Sequence, residues 1–209
     1  NTKAVLTVEK VGKVDLPAPD IFFGNSKMEV TDTDIYKSDQ VFTRGQMITV
    51  TGIDNLNEWW IDPDFFEKQS DGTLKFLPIN GDYRVTANGI LKYFSVIALK
   101  DGKPAKLQDD GTGAIWAIGK GIGKPSVTSS EVGWETGKAL CLAQVAPKKY
   151  QLTLKAGETL KTSGDWEAIS FKFFYQNDWG GEFSNYASNT LVEQLKLTGS
   201  GNLEMQDNK

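Results

Sequence analysis

The 209-residue chain has no histidine, one cysteine, six tryptophans and a formal net charge of -4. The missing histidine excludes a Ser-His-Asp triad, a Cys-His pair and any imidazole metal ligand, and the lone cysteine excludes an internal disulfide or a paired-cysteine zinc site. A hydrophobic content of 39% with 24% charged residues predicts a folded globular protein, and its acidic balance argues against a nucleic-acid partner or an anionic lipid surface.

The chain opens Asn1-Thr2-Lys3, with no initiator Met and no signal peptide. That is the expectation for a mature or trimmed segment, with any lipid anchor outside it. No apolar run approaches the roughly 18–20 residues that span a bilayer. Residues 5–14 read as a strand, and Leu16-Pro17-Ala18-Pro19-Asp20 as an extended connection. Residues 1–40 are therefore expected to be a lead-in strand and linker.

Beyond this segment the chain predicts β structure. Val-rich and aromatic runs recur at 47–51, 91–99, 114–118, 150–154 and 169–175. Between them fall Asp71-Gly72, Asn80-Gly81, Asn88-Gly89, Asp101-Gly102 and Asp110-Gly111, which supply the positive φ of tight turns. Helical patterning is scarce: one or two turns are expected after Pro63, between residues 62 and 68, and another between 188 and 195. Short strands at close spacing predict an all-β protein of two tandem antiparallel β-sandwiches, immunoglobulin-like or like carbohydrate-binding modules. The first is placed at 41–110 and the second at 111–209, with the boundary in the polar, Gly-rich 106–113 segment.

A weak internal repeat supports two units. Gly52, Trp59-Trp60, Tyr83 and Lys92-Tyr93-Phe94 precede Gly119, Gly133-Trp134, Tyr150 and Lys172-Phe173-Phe174 in the same order. Cys141, inside Ala139-Leu140-Cys141-Leu142-Ala143, reads as a buried structural thiol.

The aromatic residues carry the functional reading. Phe76, Phe94, Trp116, Phe171 and Phe173 sit in strand patterns and are expected in the core. Trp134 and Trp179 lie instead in turn-rich segments, Glu131–Gly137 and Tyr175–Gly181, where a ring must pack back, meet a partner or stack on a ligand. Adjacent Trp59 and Trp60 point opposite ways if extended, so one of them is a candidate for a second site. An indole can stack on the C–H face of a pyranose, while Lys172, Asn177, Asp178 and Glu182 are the right types for its hydroxyl rim.

The carboxylates are less specific. Asp178 with Glu182, or Asp62 with Asp64, could form an acid–base pair. Asp32 with Asp34 and Asp62 with Asp64 could offer oxygens to Ca²⁺, but the EF-hand spacing is missing. Solvated turn residues are the expected explanation for all of them. Gly119-Lys120-Gly121-Ile122-Gly123-Lys124 lacks the spacing of a phosphate loop. No metal and no cofactor is expected.

The second unit resembles the carbohydrate-binding domains of SusE/SusF-type outer-membrane lipoproteins of Bacteroidetes. The resemblance runs through IWAIGKG, GWETGKALCL, YQLTLKAGETL and SFKFFYQNDWGGEF, over roughly residues 111–202. It implies β-sandwich domains and a non-catalytic protein that binds polysaccharide or oligosaccharide at the cell surface in support of glycan uptake. It also implies an outer-membrane attachment through a lipid anchor, and proteins of a glycan-uptake complex as partners. By position, Trp134, Lys172 and Trp179 match the family's stacking rings and basic residue, with Asn177 and Asp178 as weaker matches. Trp116 stands where the family favours a smaller aliphatic residue or Tyr, and Trp166 has no counterpart. The family domain closes with one more strand, for which residues 202–205 are the candidate unless that strand is missing. Two alternatives stand beside this reading: a structural or assembly subunit of a surface complex, and a glycoside hydrolase using Asp and Glu.

Overall fold

The computed structural model describes residues 18–162, 169–184, 195–198 and 200–205. The expected strand at 5–14, Trp166 and the expected helical turn at 188–194 lie outside the described residues.

The first domain contains β1 (Phe22–Phe23), β2 (Ser26–Lys27), β3 (Glu29–Asp32), β4 (Ile35–Phe42), β5 (Met47–Ile48), β6 (Val50–Thr51), β7 (Phe66–Lys68), β8 (Leu74–Phe76), β9 (Gly81–Asn88), β10 (Tyr93–Lys100) and β11 (Lys103–Pro104). A five-stranded antiparallel sheet in the order β11-β10-β9-β4-β3 faces two small sheets, β2-β1-β6 and β5-β8-β7. Strand alternation sends Tyr36, Phe42, Tyr83, Val85, Phe94 and Val96 inward. They meet Phe23, Phe66 and Phe76 from the small sheets in one aromatic-rich core.

Residues 22–40 are thus part of this sandwich and not a lead-in. β4 is paired on both sides, to β9 and to β3. Ser38, Asp39 and Gln40 dilute its apolar signal, yet the sequence still alternates, with Tyr36 and Phe42 buried. The helical turns expected at 62–68 reduce to a single turn, closed by Phe65 and Phe66 N–H groups on the Asp62 carbonyl. The chain then extends into β7.

The second domain contains β12 (Trp116–Gly123), β13 (Glu131–Gly133), β14 (Leu140–Cys141), β15 (Ala143–Ala146), β16 (Lys149–Gln151), β17 (Ser170–Phe174), β18 (Leu195–Leu197) and β19 (Leu203–Met205), with one short helix at Val127–Ser130. Its main sheet runs β13-β12-β17-β19-β18, with β14 also on β12, and β15 pairs with β16 in a ribbon. Trp116, Ile118, Phe171 and Phe174 are buried in its core, as expected for Trp116 and Phe171, while Phe173 is half-buried with its ring 6.0 Å from that of Phe171. The 202–205 segment supplies β19.

The Gly-rich run at 119–123 is strand, not phosphate loop. A Cβ on Gly119 would lie 2.4 Å from the Ser170 carbonyl oxygen and from Phe171 Cα, so only glycine lets β17 come this close. The internal repeat is not reproduced in the architecture. Gly52 follows the two-residue edge strand β6, whereas Gly119 sits mid-strand in β12, and Tyr83 lies in a sheet centre whereas Tyr150 lies in a ribbon.

The domains are joined by direct contacts. Ala143 of β15 is buried in the first core. The Ile79 N–H donates to the Gln144 carbonyl at 2.9 Å, and the Arg44 guanidinium donates to the Val145 carbonyl.

Candidate functional site

β13 and β17 both run antiparallel to β12, on opposite flanks of it. β13 ends level with Gly119, midway along β12, and β14 continues that flank to Trp116, where β17 also ends. Trp134 thus lies on the loop between β13 and β14 at the side of the sheet, and the Trp179 loop leaves the end of β17. Two strand spacings, roughly 10 Å, separate their strands of origin.

The Trp179 loop is braced locally. The Tyr175 N–H donates to the Gly181 carbonyl at 2.9 Å, and Gln176 Nε2 donates to the Trp179 carbonyl at 2.7 Å. Asp178 Oδ1 accepts the Trp179 N–H at 2.7 Å, so this carboxylate serves the turn. A Cβ on Gly181 would meet the Tyr175 ring at 2.5 Å, and its φ is +78°; glycine alone lets that ring lie against the backbone. The Trp179 indole meets buried Phe174 edge-on, centroids 5.9 Å apart, and remains 50% exposed.

Trp134 is 38% exposed and has no ring contact among the described residues. A short 3₁₀ turn at Thr136–Lys138 follows it, spanned by the Lys138–Glu135 ion pair at 3.0 Å. Lys172 pairs with Ile118 in the middle of the sheet, is half-buried, and its side chain makes no hydrogen bond to a described residue. Asn177 is partly buried, with an Oδ1 that accepts no hydrogen bond from the described residues. Tyr175, 45% exposed in the Trp179 loop, is a third accessible ring. Sequence reasoning passed over it as the last residue of a strand; the Gly180-Gly181 pair downstream was the available signal that the strand ends there.

Trp59 and Trp60 do not form a second exposed site. Trp59 stacks on Phe94 at 4.6 Å in the first core. Trp60 meets Tyr93 edge-on at 5.4 Å, and its Nε1 donates to Glu158 across the domain contact. Their side chains do point apart, but the second direction leads into the other domain.

Asp62 and Asp64 are not solvated turn carboxylates. Both are buried with Lys124, whose Nζ donates to Asp62 Oδ1 at 2.9 Å, Asp62 Oδ2 at 2.7 Å and Asp64 Oδ2 at 2.9 Å. Asp64 also accepts from the Thr153 N–H and hydroxyl and from Gln151 Nε2. Burial pushes Asp62 above the usual carboxylate range despite Lys124. Burial raises Asp64 too, but Lys124 and the Thr153 donors overcome it and hold that carboxyl low. These oxygens are engaged with protein donors. Cys141 is buried, and burial pushes its thiol up to about 12, which makes it inert.

Between this cluster and the tryptophan loops lies a cleft of about 260 Å³. The first domain gives it a floor from the outer face of β9 and β10, including Thr86, Ser95 and Ile97. The second domain gives it Lys138 and Asn177, from the loops that carry Trp134 and Trp179.

Fold and site together define an all-β protein of two tandem sandwiches, with two exposed indoles on loops of the second domain. Residues 13–107 match the family described as "Domain of unknown function (DUF5125)", and residues 110–209 match that described as "Domain of unknown function (DUF5121)". The chain is a tandem of these two domains. No curated protein and no solved structure matches it.

Proposed function

We propose that this chain binds polysaccharide or oligosaccharide without catalysis, through Trp134 and Trp179 of its second domain. The observation that carries the reading is the presence of two accessible indoles, 38% and 50% exposed, on loops that follow the two strands flanking β12. Rings so exposed bring no core burial at their outer faces, and a sugar's C–H face is the chemistry they suit. Tyr175 extends the aromatic surface, and Lys172 is the basic residue on β17 for a hydroxyl rim. The resemblance of the second unit to SusE/SusF-type domains supports the same reading. On this reading the protein works at the bacterial surface, held by an outer-membrane lipid anchor beside glycan-uptake proteins.

Affinity electrophoresis and isothermal titration against a panel of α- and β-glucans, mannans, xylans and host glycans test this reading. Retention on at least one polysaccharide, lost on Trp179→Ala with the fold intact, is the expected result. Retention on none of them counts against glycan binding, and retention unchanged in Trp179→Ala removes that residue from the site.

A further inference from the structure

We propose that the cleft between the two domains is a second binding site, which takes one neutral sugar ring. Its volume of about 260 Å³ falls just below the roughly 300–1,000 Å³ of sites that enclose drug-sized ligands. That space suits a single ring. The ligand class rests on the glycan reading above; the location does not.

The described lining is mixed, mainly apolar with polar groups set into it. On the floor, Thr86 and Ser95 stand opposite each other in the β9–β10 register, their β-carbons about 4.5–5.5 Å apart. Neither hydroxyl is hydrogen-bonded to a described residue. From the second domain comes Asn177, whose buried Oδ1 lacks a donor among the described residues. A buried acceptor of this kind is costly unless something donates to it. Ile97 and Leu91 add apolar surface beside these groups.

Charge selects against ionic ligands. Lys124 Nζ directs its hydrogen bonds to three carboxylate oxygens of Asp62 and Asp64. Lys138 is paired with Glu135. Among the described lining residues a phosphate or carboxylate would meet only Lys124 and Lys138, each already facing a carboxylate, and an ammonium would find both Asp62 oxygens accepting from Lys124. A neutral polyol finds the Thr86 and Ser95 hydroxyls beside an apolar flank, which is the division of surfaces that a pyranose presents.

The test is a titration of the ¹⁵N-labelled chain with glucose, galactose, mannose, xylose, arabinose and N-acetylglucosamine at tens-of-millimolar concentration. At least one sugar is expected to shift the amides of Thr86, Ser95 and Asn177. The double variant Thr86→Val, Ser95→Ala is expected to weaken that sugar about tenfold or more, and Asn177→Ala, in a loop that leaves the strands intact, likewise. Absence of shifts with every sugar, shifts confined to the Trp134 and Trp179 indoles, or affinity unchanged in both variants overturns the proposal. Polysaccharide retention is scored separately. Cleft shifts without retention overturn the tryptophan reading alone, and retention without cleft shifts overturns the cleft alone.

Discussion

Lys124 of the second domain and Asp64 of the first are joined by a 2.9 Å ion pair in which both side chains are almost fully buried. Asp62 completes the cluster at 2.7 Å. A buried ion pair adds little net stability over an apolar replacement, but removing one partner strands the other charge. The pairing therefore fixes how the two domains meet more than it raises stability. Only one approach of the domains places Nζ among these carboxylate oxygens.

Lys124→Met should cost about 3–5 kcal/mol, because it leaves two buried carboxylates without their cation. Urea unfolding followed by tryptophan fluorescence measures it. Adding Asp62→Asn should recover part of the loss by removing one stranded charge. A single variant within about 0.5 kcal/mol of the parent would contradict the role given to this cluster.

Trp59 and Trp179 should separate on replacement by alanine. Trp59→Ala opens a cavity against Phe94 and should cost about 3–5 kcal/mol. Trp179→Ala gives up an edge contact with Phe174 and should cost about 1 kcal/mol or less. Thermal melts of the two variants test the contrast; equal losses would mean that Trp179 is a packing residue.

Gly119→Ala should be more damaging than its small size suggests. The added methyl meets the Ser170 carbonyl and Phe171 Cα at 2.4 Å, both backbone atoms that cannot swing away. The β12–β17 pairing must open or shift to admit it. Amide hydrogen exchange should rise across residues 116–120 and 170–174, while the β4–β9 pairing in the first domain keeps its protection.

Stability should fall steeply on the alkaline side. Burial raises Cys141 from 9.0 to about 12 and Tyr150 from 10.0 to about 12, and it raises Tyr83 and Tyr93 as well. Each group stays protonated in the fold while the unfolded chain ionises, so the fold loses stability as pH climbs through that window. Cys141→Ala should remove the part of the decline between about pH 9 and 10, where the thiol titrates before the phenols. On the acid side the effects oppose. Asp64, held low, contributes stability above the ordinary carboxylate range and loses it as pH falls through its folded value. Asp62, held high, lowers stability as pH rises through the ordinary carboxylate range, where the unfolded chain ionises and the buried carboxyl stays protonated. Melting temperature against pH should therefore slope gently below neutrality and sharply above pH 9.

Local chemistry made much of this protein legible in its sequence. Strand alternation and Asn-Gly or Asp-Gly turns determine a β chain, since side-chain period and positive φ are properties of neighbouring residues. The fully apolar surroundings of Cys141 determine its burial, and Asn177-Asp178 before Trp179 with Gly180-Gly181 after it determine that it sits on a loop. β4 was hidden because its inward positions include Ser38 and Gln40, which no local pattern distinguishes from a linker.

What only the tertiary structure decided depends on residues distant in the chain. Asp62 and Asp64 look like turn carboxylates until Lys124, 60 and 62 residues away, brings its charge to them. Trp60 looks like a free ring until Glu158 accepts its N–H from the other domain. The places of β13 and β17 on the two flanks of β12 follow from strand order, which no single segment encodes. Burial, counter-charge and shared position are set by which surfaces meet, and a local sequence pattern carries only the half of each contact that lies within it.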